Sequence, residues 1–92
     1  LNKQNLISNL EKLRKSIRKE QVIPCEVSKI LNEREIIIKV KGLFILAYTN
    51  LNLETGGQLY LKIEQVQPQL RFKLITIDEY NFLSKNGIDY II

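Results

Sequence analysis

Leu6, Leu10, Leu13 and Ile17 recur at spacings of four, three and four residues, the apolar stripe of a helix over residues 4–20. Lys12, Lys15 and Lys19 fall on the opposite side of that helix, and Arg14 and Arg18 flank the stripe. Asn5 and Ser8 are candidate caps for its start. Glu11 precedes Lys15 by four residues, a favourable spacing for an ion pair, and basic residues crowd the last turns, where the helix dipole favours them. Pro24 sets the point by which the helix has ended.

From Ile23 the period drops to two. A first strand is expected over residues 22–31, with Pro24 near its start, where a missing amide hydrogen is tolerated, and Asn32-Glu33 turns the chain. Ile36, Ile38 and Val40 share one face of a second strand over residues 35–40. Lys41-Gly42 breaks it, and a third strand, apolar almost throughout, follows over residues 43–49. Residues 50–57 read as a loop with Asn50, Asn52 and the pair Gly56-Gly57. Leu59, Leu61 and Ile63 then alternate with Gln58, Tyr60, Lys62 and Glu64, and Leu70, Phe72 and Leu74 with Arg71, Lys73 and Ile75; Pro68 turns the chain between them. Such alternation belongs to antiparallel strands with one buried face.

Five short strands at spacings of about ten residues predict a mainly β, α+β domain: a five-stranded antiparallel small barrel, closed or nearly so. Closure answers the edge problem of so short a sheet, and the helical stripe is expected to cover one open end. A second short helix starts at Ile77-Asp78-Glu79 and closes the other end, with Asp78 as N-cap, Ile77 and Phe82 as an apolar staple and Asn86-Gly87 as the stop. The apolar tail Ile88-Asp89-Tyr90-Ile91-Ile92 either pairs as a strand or leads into a further segment. No repeat or linker divides residues 1–92, so one domain is expected, and the lack of any Met points to a fragment or a processed chain.

Charge is the one compositional feature that changes this picture. Residues 1–20 carry six basic side chains against Glu11 and Glu20, which is the whole net charge of +4; the remaining eight basic and eight acidic residues balance. The helix is therefore basic and the β-domain neutral. Solvated charges beside a packing stripe are the plainest reading of the helix; a partner-helix seam, or contact with an anionic membrane or nucleic acid, are the others. At 45% hydrophobic and 26% charged the composition is that of an ordinary folded globular protein. No apolar run reaches the roughly 20 residues of a bilayer span, and the polar, basic first 20 residues do not form a secretory signal.

Little here is suited to catalysis. The chain has one cysteine and no histidine, which removes internal disulfides, Cys- or His-based metal sites and histidine acid–base chemistry. Cys25 sits in a strand with nothing to activate it and is expected to be buried and inert. Glu33 with Glu35 and Asp78 with Glu79 are the closest carboxylate pairs, the latter reading as a helix start. Thr55-Gly56-Gly57 lacks the spacing and the following lysine of a phosphate loop. No enzyme, cofactor or metal is expected. One constellation suits single-stranded nucleic acid: Tyr60, Lys62, Arg71 and Lys73 on neighbouring strands, extended by Tyr48 and Lys39, because bases stack on aromatics and phosphates pair with cations. The competing reading is a solvated sheet face with Glu64 and Glu35 as partners, favoured by the neutral β-domain.

The runs Cys25-Glu26-Val27, Ile36-Ile37-Ile38-Lys39-Val40-Lys41-Gly42, residues 43–49, Leu53-Glu54-Thr55-Gly56-Gly57-Gln58-Leu59-Tyr60-Leu61-Lys62-Ile63 and residues 70–74 form a pattern: strand, strand ending in glycine, strand, glycine-closed loop, two alternating strands. Over residues 22–77 this resembles the β-rich domain of bacterial proteins of the flagellar hook-length control family, whose glycine-polar step before the fourth strand is matched by Gly57-Gln58. Small barrels of the oligonucleotide-binding type give a comparable pattern. The family's C-terminal export-switching domain has no counterpart in these residues. The resemblance implies a non-catalytic module of an exported or export-associated protein, in the cytoplasm or carried out by a flagellar-type apparatus, that works through protein contacts. Its surface would be the basic helix face (Lys12, Arg14, Lys15, Arg18, Lys19) or the loop over residues 50–57; single-stranded nucleic acid is the alternative partner.

Overall fold

The computed structural model describes residues 3–85, so the expected stop at Asn86-Gly87 and the tail Ile88-Asp89-Tyr90-Ile91-Ile92 lie outside the described residues. Helix α1 (Lys3–Arg14) leads into five strands, β1 (Val22–Ile30), β2 (Glu35–Val40), β3 (Leu43–Tyr48), β4 (Gln58–Gln65) and β5 (Arg71–Ile75), and helix α2 (Ile77–Lys85) follows. The strands form one antiparallel sheet in the order β3-β2-β1-β4-β5. The sheet curls into a half-barrel in which, among the described residues, no strand pairing joins β3 to β5.

The curl originates in β1. Its first half, from Val22 to Glu26, pairs with β4, and its second half, from Glu26 to Ile30, pairs with β2. A bulge between Val27 and Lys29 bends it where the partners change over, and a second bulge between Ile63 and Gln65 bends β4. Val27 both donates to Gly57 and accepts from Gly56, so odd positions in this part of β1 face β4 and even ones face β2. Pro24 is an even position, and the register with β2 begins only at Glu26. The amide hydrogen that proline lacks is thus missing where no ladder bond is due. Between β2 and β3 the two central turn residues, Lys41 (φ 51°) and Gly42 (φ 77°), both lie in the left-handed region, the geometry that suits the twist of a two-residue hairpin.

Ile23, Cys25, Val27, Ile36, Ile38, Val40, Ile45, Ala47, Leu59, Leu61, Ile63 and Leu74 fill the concave face, with Leu13 and Ile17 from the N-terminal segment packed among them. Leu13 is completely buried. The second half of the apolar stripe, Leu13 and Ile17, therefore belongs to the core, and Leu10 packs partly against it. Val22, Ile37 and Ile75 are buried on the other face of the sheet.

Five local expectations are corrected. The helix ends at Arg14 and not at residue 20. The Ser16 hydroxyl and amide both take the Leu13 carbonyl, at 3.0 and 2.9 Å, in competition with the helical ladder. Residues 17–20 instead turn back, with Glu20 at φ 72°, so that Glu20 donates to the Ile63 carbonyl and Gln21 accepts from the Ile63 amide. Asn5 and Ser8 lie inside α1 and do not cap it. Finally, the cap of α2 is Thr76, whose hydroxyl accepts from the Glu79 amide at 3.1 Å, while Asp78 lies in the first turn. Thr76 and Glu79 have the spacing of a capping box. With that cap, Ile75 and Tyr80, not Ile77 and Phe82, hold the staple positions. Helix α2 also packs on the outer face of β4, where Tyr80 stacks on Tyr60, and does not close a barrel end.

Candidate interaction surfaces

The chemistry-bearing residues are absorbed by the fold. Burial pushes the Cys25 thiol up to about 12, which leaves it protonated and unreactive at neutral pH. Glu35 accepts from the Asn32 side chain at 2.7 Å, and Asn32 in turn accepts from the amides of Arg34 and Glu35, so that carboxylate fastens the β1–β2 turn. Glu79 pairs with Lys73 at 3.7 Å. The loop amides that a phosphate would need are used internally: Gly56 donates to Val27 and Gly57 to Glu54. Among the described residues no three His, Cys, Asp or Glu side chains are grouped to hold a metal, and no helix is long and apolar enough to cross a membrane.

The residues considered for nucleic acid separate into two groups. Lys62 lies directly across from Lys73, and Tyr60 across from Ile75, so Tyr60, Lys62 and Lys73 share the outer face of β4 and β5. Arg71 is displaced by the bulge to a position opposite Gln65. The ring of Tyr60 is stacked on Tyr80 at 4.0 Å and 11°, which occupies that face of the ring. Lys39 and Tyr48 are on the other half of the sheet, where the Lys39 ammonium sits 5.7 Å from the Phe44 ring centre. Tyr48 is 69% exposed.

The basic helix face divides as well. Arg14 is half-buried and ties α1 to the β4–β5 turn, donating to the Gln67 side chain at 3.2 Å and the Pro68 carbonyl at 3.4 Å. It also pairs with Glu11 at 3.5 Å, the partnership expected of Lys15. Lys12, Lys15, Arg18 and Lys19 are exposed, the last three beyond the end of the helix.

Alongside them is an apolar surface that the stripe alone did not reveal. Thr49 donates to Arg34, so the odd positions of β3 pair with β2, while Phe44, Leu46 and Tyr48 turn their backbone groups outward. Helix α1 runs along that edge, and Asn9 donates to the Phe44 carbonyl at 2.9 Å. Between them Leu6, Ile7, Leu10, Leu46 and Tyr48 line a groove of about 250 Å³, with Ile7 61% exposed. The signal was present in the sequence: Ile7 lies beside the stripe, and β3 is apolar on both faces, one more than the core needs.

Comparison of the chain with protein-family models, with curated proteins and with solved structures finds no match.

Proposed function

We propose that this chain is a non-catalytic protein-interaction module that receives an acidic, amphipathic segment of a partner protein in the groove between α1 and β3. The observation that carries this reading is the groove itself, in which Ile7 and Tyr48 are among the most exposed large apolar side chains of the described residues. Buried aromatic and aliphatic anchors dominate binding, and an acidic rim would complement Lys12 on the exposed side of the helix and Lys15 just beyond its end. The resemblance to the flagellar hook-length control family supplies the candidate host, a protein working with flagellar-type export machinery.

The test is binding of purified flagellar export components to the immobilised chain, beside the variants Ile7→Asp and Tyr48→Asp. The expected result is saturable binding that each variant weakens by about tenfold or more, with an unchanged circular dichroism spectrum. No binding, or equal binding by both variants, overturns the reading.

Single-stranded nucleic acid is the second reading, supported by the Lys62 and Lys73 pair opposed across β4 and β5. It requires an affinity that falls with salt and with Arg71→Ala and Lys73→Ala, read by fluorescence anisotropy of labelled oligonucleotides.

A further inference from the structure

The two edges of the half-barrel are treated differently. The β3 edge is covered by α1, with the Phe44 carbonyl taken by Asn9. Among the described residues, strand β5 is hydrogen-bonded on one side only, to β4. Ile63 exchanges bonds with Glu20 and Gln21, so odd positions of β4 face β1 and even positions face β5. Lys62 with Lys73, and Tyr60 with Ile75, are then the hydrogen-bonded pairs. The N–H and C=O groups of Phe72 and Leu74 consequently point away from β4, toward the open edge.

We propose that β5 is a strand-addition site that takes an extended, antiparallel segment of another polypeptide with alternating apolar and acidic residues. The side chains of β5 specify that alternation. Leu70, Phe72 and Leu74 are partly or wholly buried against the concave core, so the residues opposite Phe72 and Leu74 extend an apolar layer. Arg71 and Lys73 are exposed on the other face, beside Lys62 and with Glu79 as the nearby acid, so the residues between are carboxylates. A second copy of this chain is excluded as occupant by its own charges. Pairing Phe72 with Leu74 places Lys73 opposite Lys73, and pairing Phe72 with Phe72 places Arg71 opposite Lys73. Centring on Leu74 puts Phe72 opposite Thr76, where the strand has ended and α2 is capped.

The site lies on a different surface from the groove between α1 and β3 and does not depend on it. The probe is a capped peptide of about seven residues alternating valine and glutamate, titrated into the protein and followed by amide nuclear magnetic resonance. Binding shifts the amides of Phe72 and Leu74 and protects them from hydrogen exchange. N-methylation of the valines removes donors aimed at β5 and weakens binding about tenfold, whereas N-methylation of the glutamates, aimed away, changes it less than about threefold. A valine–lysine peptide does not bind the native chain but does bind the variant Arg71→Glu/Lys73→Glu. The methylated peptides leave the protein untouched, so the test holds even if that variant fails to fold. Equal losses from the two methylation patterns, shifts confined to the α1–β3 groove, or no binding up to about 1 mM would each overturn the proposal.

Discussion

Cys25 shows how completely one position can be silenced by where it lies in a strand. It alternates with exposed Pro24 and Glu26 and is 4% exposed on the concave face, where charge is poorly solvated. Its thiol therefore stays protonated in the folded chain up to about 12, whereas in the unfolded chain it ionises at the ordinary thiol value near 8.5. Because the native state holds the proton more tightly, stability is undiminished below the unfolded value and declines as pH rises from there toward 12. The loss attributable to this group is about 2 kcal/mol by pH ~10. Urea unfolding of the native chain and of Cys25→Ala should give curves of stability against pH that converge above pH ~8.5 by that amount, with the tyrosines and lysines common to both. Parallel curves would show that the thiol is solvated. Gly42 is a second residue whose role is set by the backbone: at φ 77°, with open space where a Cβ would stand, Gly42→Ala meets strain and no clash. It should cost about 1–2 kcal/mol in the same measurement.

At the scale of elements, periodicity made every strand and both helices legible, because each has one face in the core and the spacing of that face is a property of the sequence. Leu59, Leu61 and Ile63 could only be a half-buried strand, and the structure bears this out. What was not legible were the ends, which depend on partners distant in the chain. The helical stripe continues through Ile17, and Ile17 is buried as the stripe requires, yet the helix stops at Arg14 because Glu20 and Gln21 must reach Ile63. The groove between α1 and β3 was legible only in part for the same reason: its apolar residues stand out in the sequence, but no local pattern says that β3 is an edge. The start of α2 was misplaced by two residues because Asp78 and Thr76 are both capping residues, and only Thr76 has glutamate three positions on. Thr76→Ala should cost about 1 kcal/mol and Asp78→Ala a few tenths at most, by denaturant unfolding. The reverse ranking would restore Asp78 as the cap.

For the whole molecule the question is whether α1 is an appendage or part of the folding unit. A half-barrel exposes its concave core along the gap between β3 and β5, and a small sheet has little margin against the entropy of ordering its chain. The end of the helix and the segment after it close on that core: Leu13 and Ile17 belong to the same buried cluster as Ile23, Ile38, Leu61 and Ile63, Lys41 donates to the Ser16 carbonyl at 3.1 Å, and Arg14 reaches Gln67 and Pro68. These contacts join the β2–β3 hairpin to the β4–β5 hairpin, which have no strand pairing with each other. Leu13→Ala should therefore cost about 2–5 kcal/mol, a large part of the ~5–15 kcal/mol typical of a domain. The loss should appear as one transition that helix circular dichroism and tyrosine fluorescence follow together. An appendage would behave otherwise, with the helical signal lost first and the tyrosine transition unmoved. The same comparison bears on the groove, because a docking surface shared by α1 and β3 keeps its shape only if the two unfold together.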